Sequence, residues 1–227
     1  GLGFDCDNDG DMDLLAVNSR GINEFYLNKG SGQFQRVDRG LNEVDEPDIP
    51  TTAATAMDFD HDGDIDVYIV KRYGPNKLFV NDGNGYFEER GQEAGIAVYD
   101  NCNGSFWADL NNDGYLDLVV STSHSGSDLA TVYIFKNNGD GTFQDVSAIA
   151  NIQMNGYSPV ISDFDNDGLQ DILVTNADIR GRLYLNRGDF FFTPVDKTGA
   201  EINGGDLRGA VAFDFDNDGD MDVVAAR

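Results

Sequence analysis

Five short stretches of the chain place oxygen-bearing side chains at alternate positions of a nonapeptide. They are Asp5, Asp7, Asp9, Asp11, Asp13; Asp58, Asp60, Asp62, Asp64, Asp66; Asp109, Asn111, Asp113, Asp117; Asp163, Asp165, Asp167, Asp171; and Asp214, Asp216, Asp218, Asp220, Asp222. Two carboxylates about 4 Å apart repel by roughly 4 kcal/mol at an effective dielectric of about 20. Such a cluster requires a positive counterpart. Alternate oxygens around a tight loop, with glycine at the sixth position to permit a sharp turn, form a cage for a hard cation, and calcium fits that cage best.

Comparison of the five copies separates ligands from bystanders. Positions 1, 5 and 9 are always Asp, position 3 is Asp or Asn, and position 6 is always Gly (Gly10, Gly63, Gly114, Gly168, Gly219). Position 7 varies as Asp11, Asp64, Tyr115, Leu169 and Asp220, which is tolerable if only its backbone carbonyl binds. Position 2 is Cys6, Phe59, Leu110, Phe164 or Phe215, so it points into apolar packing. The expected ligand set is therefore the side chains of positions 1, 3, 5 and 9 and the carbonyl of position 7, with about five calcium ions in all. An EF-hand would need Glu at position 12; here that position is Ala16, Ile69, Val120, Val174 or Ala225. Each loop runs into a β-rich apolar run, so it joins strands and not helices.

The motifs start at residues 5, 58, 109, 163 and 214, spaced by 53, 51, 54 and 51 residues. A repeat protein follows, with approximate units 1–51, 52–103, 104–156, 157–208 and a partial 209–227 within one array spanning 1–227. In the second unit, strand A is expected at 52–57, strand B at 67–70 after the acidic loop, a turn at 71–76, strand C at 77–80, a hairpin turn at 81–85 and strand D at 86–90. Four-stranded units at this period, with small residues on the innermost strand, predict an all-β propeller of antiparallel blades. The chain holds four full blades and two further strands. Seven blades would need roughly 360 residues at this period, so the chain reads as part of a larger propeller whose open ends need cover from missing blades or another chain, the alternative being a closed five-bladed ring with a thin last blade.

The loop pattern D-x-D-x-D-G-x-x-D, followed by L-Y-x-N-x-G-x-G-x-F, resembles the FG-GAP/VCBS repeats of integrin α-subunit propellers and their bacterial relatives. The literal FG and GAP signatures are absent, so the resemblance is to the calcium-loop branch of that family. It implies a seven- or eight-bladed propeller with calcium on one rim and ligand contacts on the opposite face.

Composition narrows the function. The chain has 227 residues and a net charge of −26, and more than half of its 41 acidic residues lie in the five loops. Five calcium ions would still leave a charge of −16, which argues against nucleic acid or an anionic membrane as partner. No apolar run reaches the length of a transmembrane helix. The chain opens inside a repeat at Gly1, as a trimmed chain would. Cys6 and Cys102 read as free apolar residues, and Asn103-Gly-Ser105 is a formal glycosylation sequon. The turns opposite the loops carry Arg20, Lys71, Arg72 and Arg180, with Tyr73, Tyr99 and Tyr157 nearby. This cationic and aromatic face suits a protein or carbohydrate ligand. Enzyme signals are weak: His61 sits in a loop at position 4, and His124 beside Asp128 is too local for a triad. The expectation is a non-catalytic extracellular binding or adhesion module. Alternatives are an assembly subunit or the propeller portion of a secreted lyase or phospholipase.

Overall fold

The computed structural model describes residues 1–41, 49–124, 130–176, 181–195 and 209–226. Among these the chain forms eighteen strands and two four-residue helices. The first repeat holds β1 (Leu2–Phe4), β2 (Asp13–Ala16), β3 (Glu24–Asn28) and β4 (Phe34–Val37). The second holds β5 (Thr51–Met57), β6 (Asp66–Pro75), β7 (Lys77–Asn81), β8 (Phe87–Glu89) and α1 (Gly91–Ala94). The third holds β9 (Tyr99–Ala108), β10 (Asp117–Thr122), β11 (Tyr133–Asn137), β12 (Phe143–Asp145) and α2 (Ser147–Ala150). The fourth holds β13 (Pro159–Ser162), β14 (Asp171–Val174), β15 (Arg182–Asn186) and β16 (Phe192–Pro194). A last hairpin pairs β17 (Gly209–Phe213) with β18 (Asp222–Ala226).

The expected blade is present. β1-β2-β3-β4 and β13-β14-β15-β16 are antiparallel four-stranded sheets in sequence order, and β5 to β8 pair in the same order. Register is the same in equivalent blades: Ile172 faces Tyr184 between β14 and β15, and Leu14 faces Tyr26 between β2 and β3. Each B strand opens with the ninth residue of an acidic loop, so the loop is the A–B hairpin turn. The chain forms two compact units, residues 1–102 with 138–143, and residues 103–137 with 144–227. In the first unit Phe4, Leu15, Phe25, Leu27, Val67 and Phe87 share a core; Phe25 meets Phe87 edge-on at 6.2 Å, a favoured aromatic geometry. In the second, Leu110, Ile134, Ile172, Tyr184 and Phe192 belong to another core.

Two local expectations are corrected. Residues 71–75 are strand and not turn: β6 runs to Pro75, where Arg72, Gly74 and Pro75 pair with Asn101, Asp100 and Tyr99 of β9. Gly and Pro break a strand only when it is central, and here they lie at the end of a two-stranded ribbon with a bulge at Tyr73, whose φ is +66°. Lys71, expected on an exposed turn, is buried, and its N–H donates to Asn76 Oδ1 at 2.8 Å. The helices α1 and α2 had no sequence signal, being too short for periodicity; they end at left-handed Gly95 (φ +83°) and Asn151 (φ +50°).

A recurring device joins consecutive blades within each unit. In the second and fourth repeats the Asn that ends the C strand donates through Nδ2 to a carbonyl of its own loop and to the carbonyl of position 2 in the preceding loop. Asn81 reaches Ile65 at 3.1 Å and Cys6 at 2.8 Å; Asn186 reaches Gln170 at 3.0 Å and Leu110 at 2.8 Å. Asn81 Oδ1 also accepts the N–H groups of Gly83 and Gly85. Among the described residues, Asn28 Nδ2 donates to Met12 of its own loop, at 3.0 Å, and to no carbonyl of another loop. Leaving buried backbone groups unpaired costs about 1–3 kcal/mol each. Asn81→Ala should therefore lower unfolding free energy by roughly 2–4 kcal/mol, and Asn28→Ala by clearly less. Urea denaturation of the two variants at dilute concentration checks the order, and equal losses would reject it.

Candidate metal centres

The five acidic loops share one backbone. Position 4 is left-handed in every copy, at Asn8, His61, Asn112, Asn166 and Asn217 (φ +56° to +63°), and the glycine that follows at position 6 has φ between +88° and +93°. Asn tolerates that region and glycine occupies it freely, which is why position 6 never varies. The loop is then tied by its own carboxylates. Position 1 accepts from position 6 in all copies, as in Gly10 N–H to Asp5 Oδ2 at 2.9 Å and Gly168 N–H to Asp163 Oδ2 at 2.8 Å. Position 5 accepts from position 7, as in Asp11 to Asp9, Asp64 to Asp62 and Tyr115 to Asp113.

Position 9 does something the sequence did not reveal. Its carboxylate sits at the base of the hairpin and accepts two backbone N–H bonds, one from position 2 and one from the Asn that closes strand C. For Asp66 the donors are Phe59 at 3.3 Å and Asn81 at 2.9 Å; for Asp117 they are Leu110 and Asn137, both at 2.9 Å; for Asp171 they are Phe164 and Asn186, both at 2.8 Å; for Asp13 they are Cys6 and Asn28. Asp222 has the first partner, Phe215, at 2.9 Å. Burial pushes Asp66 up to about 7 and Asp117 to about 6, against the pull of these N–H groups.

Positions 1, 3 and 5 converge. In the first, second, fourth and fifth loops one oxygen from each of the three Asp residues lies within 4.8 Å of the others. The third loop substitutes Asn111, whose Nδ2 donates to Asp113 Oδ2 at 2.8 Å. Asp7 Oδ1 and Asp58 Oδ1 are buried with no hydrogen-bond partner, the state a cation ligand is in before its ion is counted. Burial first, then neighbouring carboxylates, holds Asp7 and Asp60 above the usual range. All donors are oxygen, as a hard divalent cation requires, so the residues fit calcium. In the fourth loop a side chain supplies positive charge: Arg187 Nη1 lies 3.1 Å from Asp165 Oδ2 and 3.3 Å from Asp167 Oδ2. Lys136 Nζ stands 3.5 Å from Asp113 Oδ2 in the third.

Position 4 also links neighbouring loops. Asn8 Nδ2 donates to Asp64 Oδ1 at 2.8 Å and Asn166 Nδ2 to Asp220 Oδ1 at 2.7 Å, each reaching position 7 of the next loop. Where position 7 is Leu169, Asn112 donates instead to the carbonyl of Gly168 at 3.0 Å.

The residues expected on a cationic and aromatic face differ in their exposure. Arg20, Arg72, Tyr73 and Tyr99 are exposed, Tyr157 is half-buried, and Lys71 is withdrawn; Arg180 lies outside the described residues. His124 donates its backbone N–H to Asn155 Oδ1, and Asp128 lies outside the described residues. Asn103 of the sequon is buried in β9, its Nδ2 bonded to Ser123 and Gly156, a poor acceptor for a glycan. Cys6 and Cys102 are free and buried, and burial raises the Cys102 thiol to about 12, keeping it unreactive.

Antiparallel four-stranded blades repeated along the chain, each opened by an acidic hairpin, define a β-propeller repeat protein. Residues 5–69, 58–120, 119–174 and 163–225 match the FG-GAP-like repeat, and the chain belongs to that family. It is 28% identical over 169 residues to cartilage acidic protein 1 of Xenopus tropicalis, and 30% identical over 173 residues to the proteins of that name from Mus musculus and Homo sapiens. These alignments cover 70% of this chain but only 25–26% of each relative, so the chain spans about a quarter of their length. Among the described residues no helix is long and apolar enough to cross a membrane.

The buried carboxylates set the pH response of the metal-free protein. Asp66 and Asp117 keep protons up to about 7 and about 6 that the unfolded chain releases near 3.8. The folded state therefore binds more protons across that window, and its stability falls as pH rises through it. Thermal melts in chelator should give a higher midpoint near pH 5 than near pH 7.5; the opposite order would contradict this assignment.

Proposed function

We propose that this chain is a calcium-stabilised array of propeller blades that works outside the cytoplasm as a binding or adhesion module for a protein or carbohydrate. The observation that carries the calcium reading is the pair of buried, unpartnered oxygens, Asp7 Oδ1 and Asp58 Oδ1, inside loops whose remaining oxygens converge. In each loop the side chains of positions 1, 3 and 5 would hold the ion, with the carbonyl of position 7. The position 9 carboxylate has lone pairs left after its N–H bonds and would close the cage from below. The ion would supply charge neutralisation and no hydrolytic chemistry, since protein oxygens surround it and calcium activates water poorly.

Calcium at about 1 mM and a dissociation constant near 0.1 mM would add roughly 1.4 kcal/mol per site, about 7 kcal/mol for five, comparable with a domain's whole stability of about 5–15 kcal/mol. Such sites would stay empty at cytosolic calcium levels. The cartilage in the relatives' name, a matrix-rich tissue, fits an extracellular setting, and the acidity in that name fits the charge of −26. For the ligand, the supporting feature is the exposed ribbon of β6 and β9. Tyr73, held in a left-handed bulge, stands beside Arg72, and Tyr99 lies opposite Pro75. A bulge that re-aims an aromatic at a rim is a recurrent device at binding sites.

Adding millimolar calcium to chelated protein should raise its melting temperature and reverse the pH order, because the ion needs the carboxylates ionised. Melts that ignore both chelator and calcium would refute the metal reading. Arg187→Ala should lower the stability of the metal-free protein by up to about 1 kcal/mol and tighten calcium binding at the fourth loop, as titration calorimetry would detect; unchanged affinity would show that the guanidinium does not compete. Binding to arrays of glycans and matrix proteins, weakened roughly tenfold or more by Tyr99→Ala, tests the ligand face independently of calcium.

A further inference from the structure

In the third repeat, the residues leading into β11, the end of β12, α2 and the segment after it enclose a groove of about 390 Å³. Thr131, Tyr133, Asp145, Ser147, Asn151 and Gln153 line it, all within the second compact unit. Its volume falls within the range of small-ligand sites, toward the lower end. One wall is aromatic: Tyr133 is half-buried and lies nearly parallel to Phe135, at 9° with ring centroids 6.2 Å apart. The rest is polar, and the protein leaves part of its hydrogen-bonding capacity unused. Asp145 Oδ1 accepts the N–H and the hydroxyl of Ser147, while Asp145 Oδ2 has no partner among the described residues. Gln153 Nε2 donates to Thr131 Oγ1 at 3.3 Å; neither Gln153 Oε1 nor the Asn151 amide has a partner among the described residues.

The second repeat builds the same local backbone with different side chains. Its helix α1 also follows strand D and also ends on a left-handed residue, which is Gly95 where α2 has Asn151. That helix opens with Gly91 in place of Ser147, and strand C opens with Lys77 in place of Tyr133. Glycine ends a helix in this conformation with no Cβ penalty, so the cap does not require asparagine. What Asn151 adds is an amide in the groove, and what Tyr133 adds is an aromatic face where the second repeat has a cation.

A sugar ring presents C–H bonds on one face and hydroxyls around its rim. An aromatic wall suits the first, and a carboxylate oxygen flanked by amides suits the second. Among the described residues no Lys or Arg lines the groove, and Asp145 together with the chain's charge of −26 repels anions, which disfavours a uronic acid or a sulfated sugar. A purely apolar ligand would cover Asp145 and the amides without pairing them, at a cost in affinity. We propose that this groove binds an uncharged saccharide, one ring against Tyr133 and its hydroxyls shared among Asp145, Asn151 and Gln153. The site uses none of the residues assigned above to the exposed ribbon of β6 and β9, and no acidic-loop residue lines it.

The test is saturation-transfer NMR on the 227-residue chain in millimolar calcium. The probes are neutral trisaccharides of glucose, of mannose and of N-acetylglucosamine, with a trisaccharide of galacturonic acid as the charged control. At least one neutral sugar should bind with a dissociation constant of roughly 0.1–10 mM, as a few hydrogen bonds and one stacked ring would give, and the galacturonate should give no signal. Asn151→Gly and Tyr133→Lys install what the second repeat carries on the same backbone, so both should keep the wild-type circular dichroism, and each should weaken binding about fivefold or more. Tyr99→Ala, on the ribbon, should leave this affinity unchanged. No binding by any neutral sugar, binding confined to the galacturonate, or affinity unchanged in both groove variants overturns the proposal. Loss of affinity in Tyr99→Ala alone also overturns it and puts the sugar on the ribbon, so failure of this site is distinguishable from failure of the ligand face.

Discussion

A buried carboxylate held by two backbone N–H groups is the interaction on which each blade depends. At position 9 the Asp ties the start of the acidic loop to the end of strand C, so one side chain fixes the A–B hairpin against the B–C pair. Burial disfavours its charged form, and the two N–H donors oppose that penalty without cancelling it, leaving Asp66 near 7. Removing either donor would tip the balance further. The C-strand Asn that supplies one donor must therefore be fixed itself, and its amide is fixed by two carbonyls, one of them in the preceding blade. Local hairpin geometry and blade-to-blade packing are in this way a single hydrogen-bond network.

That network explains which positions vary. Position 7 tolerates Asp, Tyr and Leu because its side chain is at most an acceptor for the neighbouring loop, and the neighbour can shift to a backbone carbonyl when the carboxylate is missing, as Asn112 does beside Leu169. Position 6 tolerates nothing but glycine, since its φ near +90° is costly for any residue with a Cβ. Position 2 tolerates Cys, Phe and Leu because its side chain needs only apolar contact while its backbone N–H and carbonyl make the directional bonds.

The blade count, the loop positions and the strand order were legible because each rests on short-range chemistry repeated five times. Alternating carboxylates, an obligatory glycine and β-branched runs are all visible within about fifteen residues, and repetition separates constraint from accident. What was not legible depends on long-range pairing. The extension of β6 through Gly74-Pro75 needs β9 as its partner, some 25 residues on, and local breaker chemistry pointed the other way. The burial of Lys71 follows from that extension. The N–H bonds to position 9 were hidden for a different reason: an Asp that binds backbone and an Asp that binds a cation are the same letter. Only the recurrence of an Asn at the end of each C strand, at Asn28, Asn81, Asn137 and Asn186, carried a signal that could have exposed the network.

Clustered charge of this kind can be neutralised in two ways. A divalent ion among positions 1, 3 and 5 removes repulsion without ordering a long side chain. A guanidinium does the same from outside but gives up rotamer freedom and stays partly in water, where such pairs contribute little. Arg187 beside Asp165 and Asp167 is of the second kind. The second loop has Asp82 at the position after its C-strand Asn, where the fourth has Arg187; a carboxylate there cannot pair with positions 3 and 5 as the guanidinium does. The loops are therefore unequal in the positive charge their own side chains supply. On the calcium reading proposed above, the fourth loop would depend less on an ion, since Arg187 already stands beside its positions 3 and 5. Repeats that share a backbone can in this way differ in electrostatic balance through a single residue outside the loop.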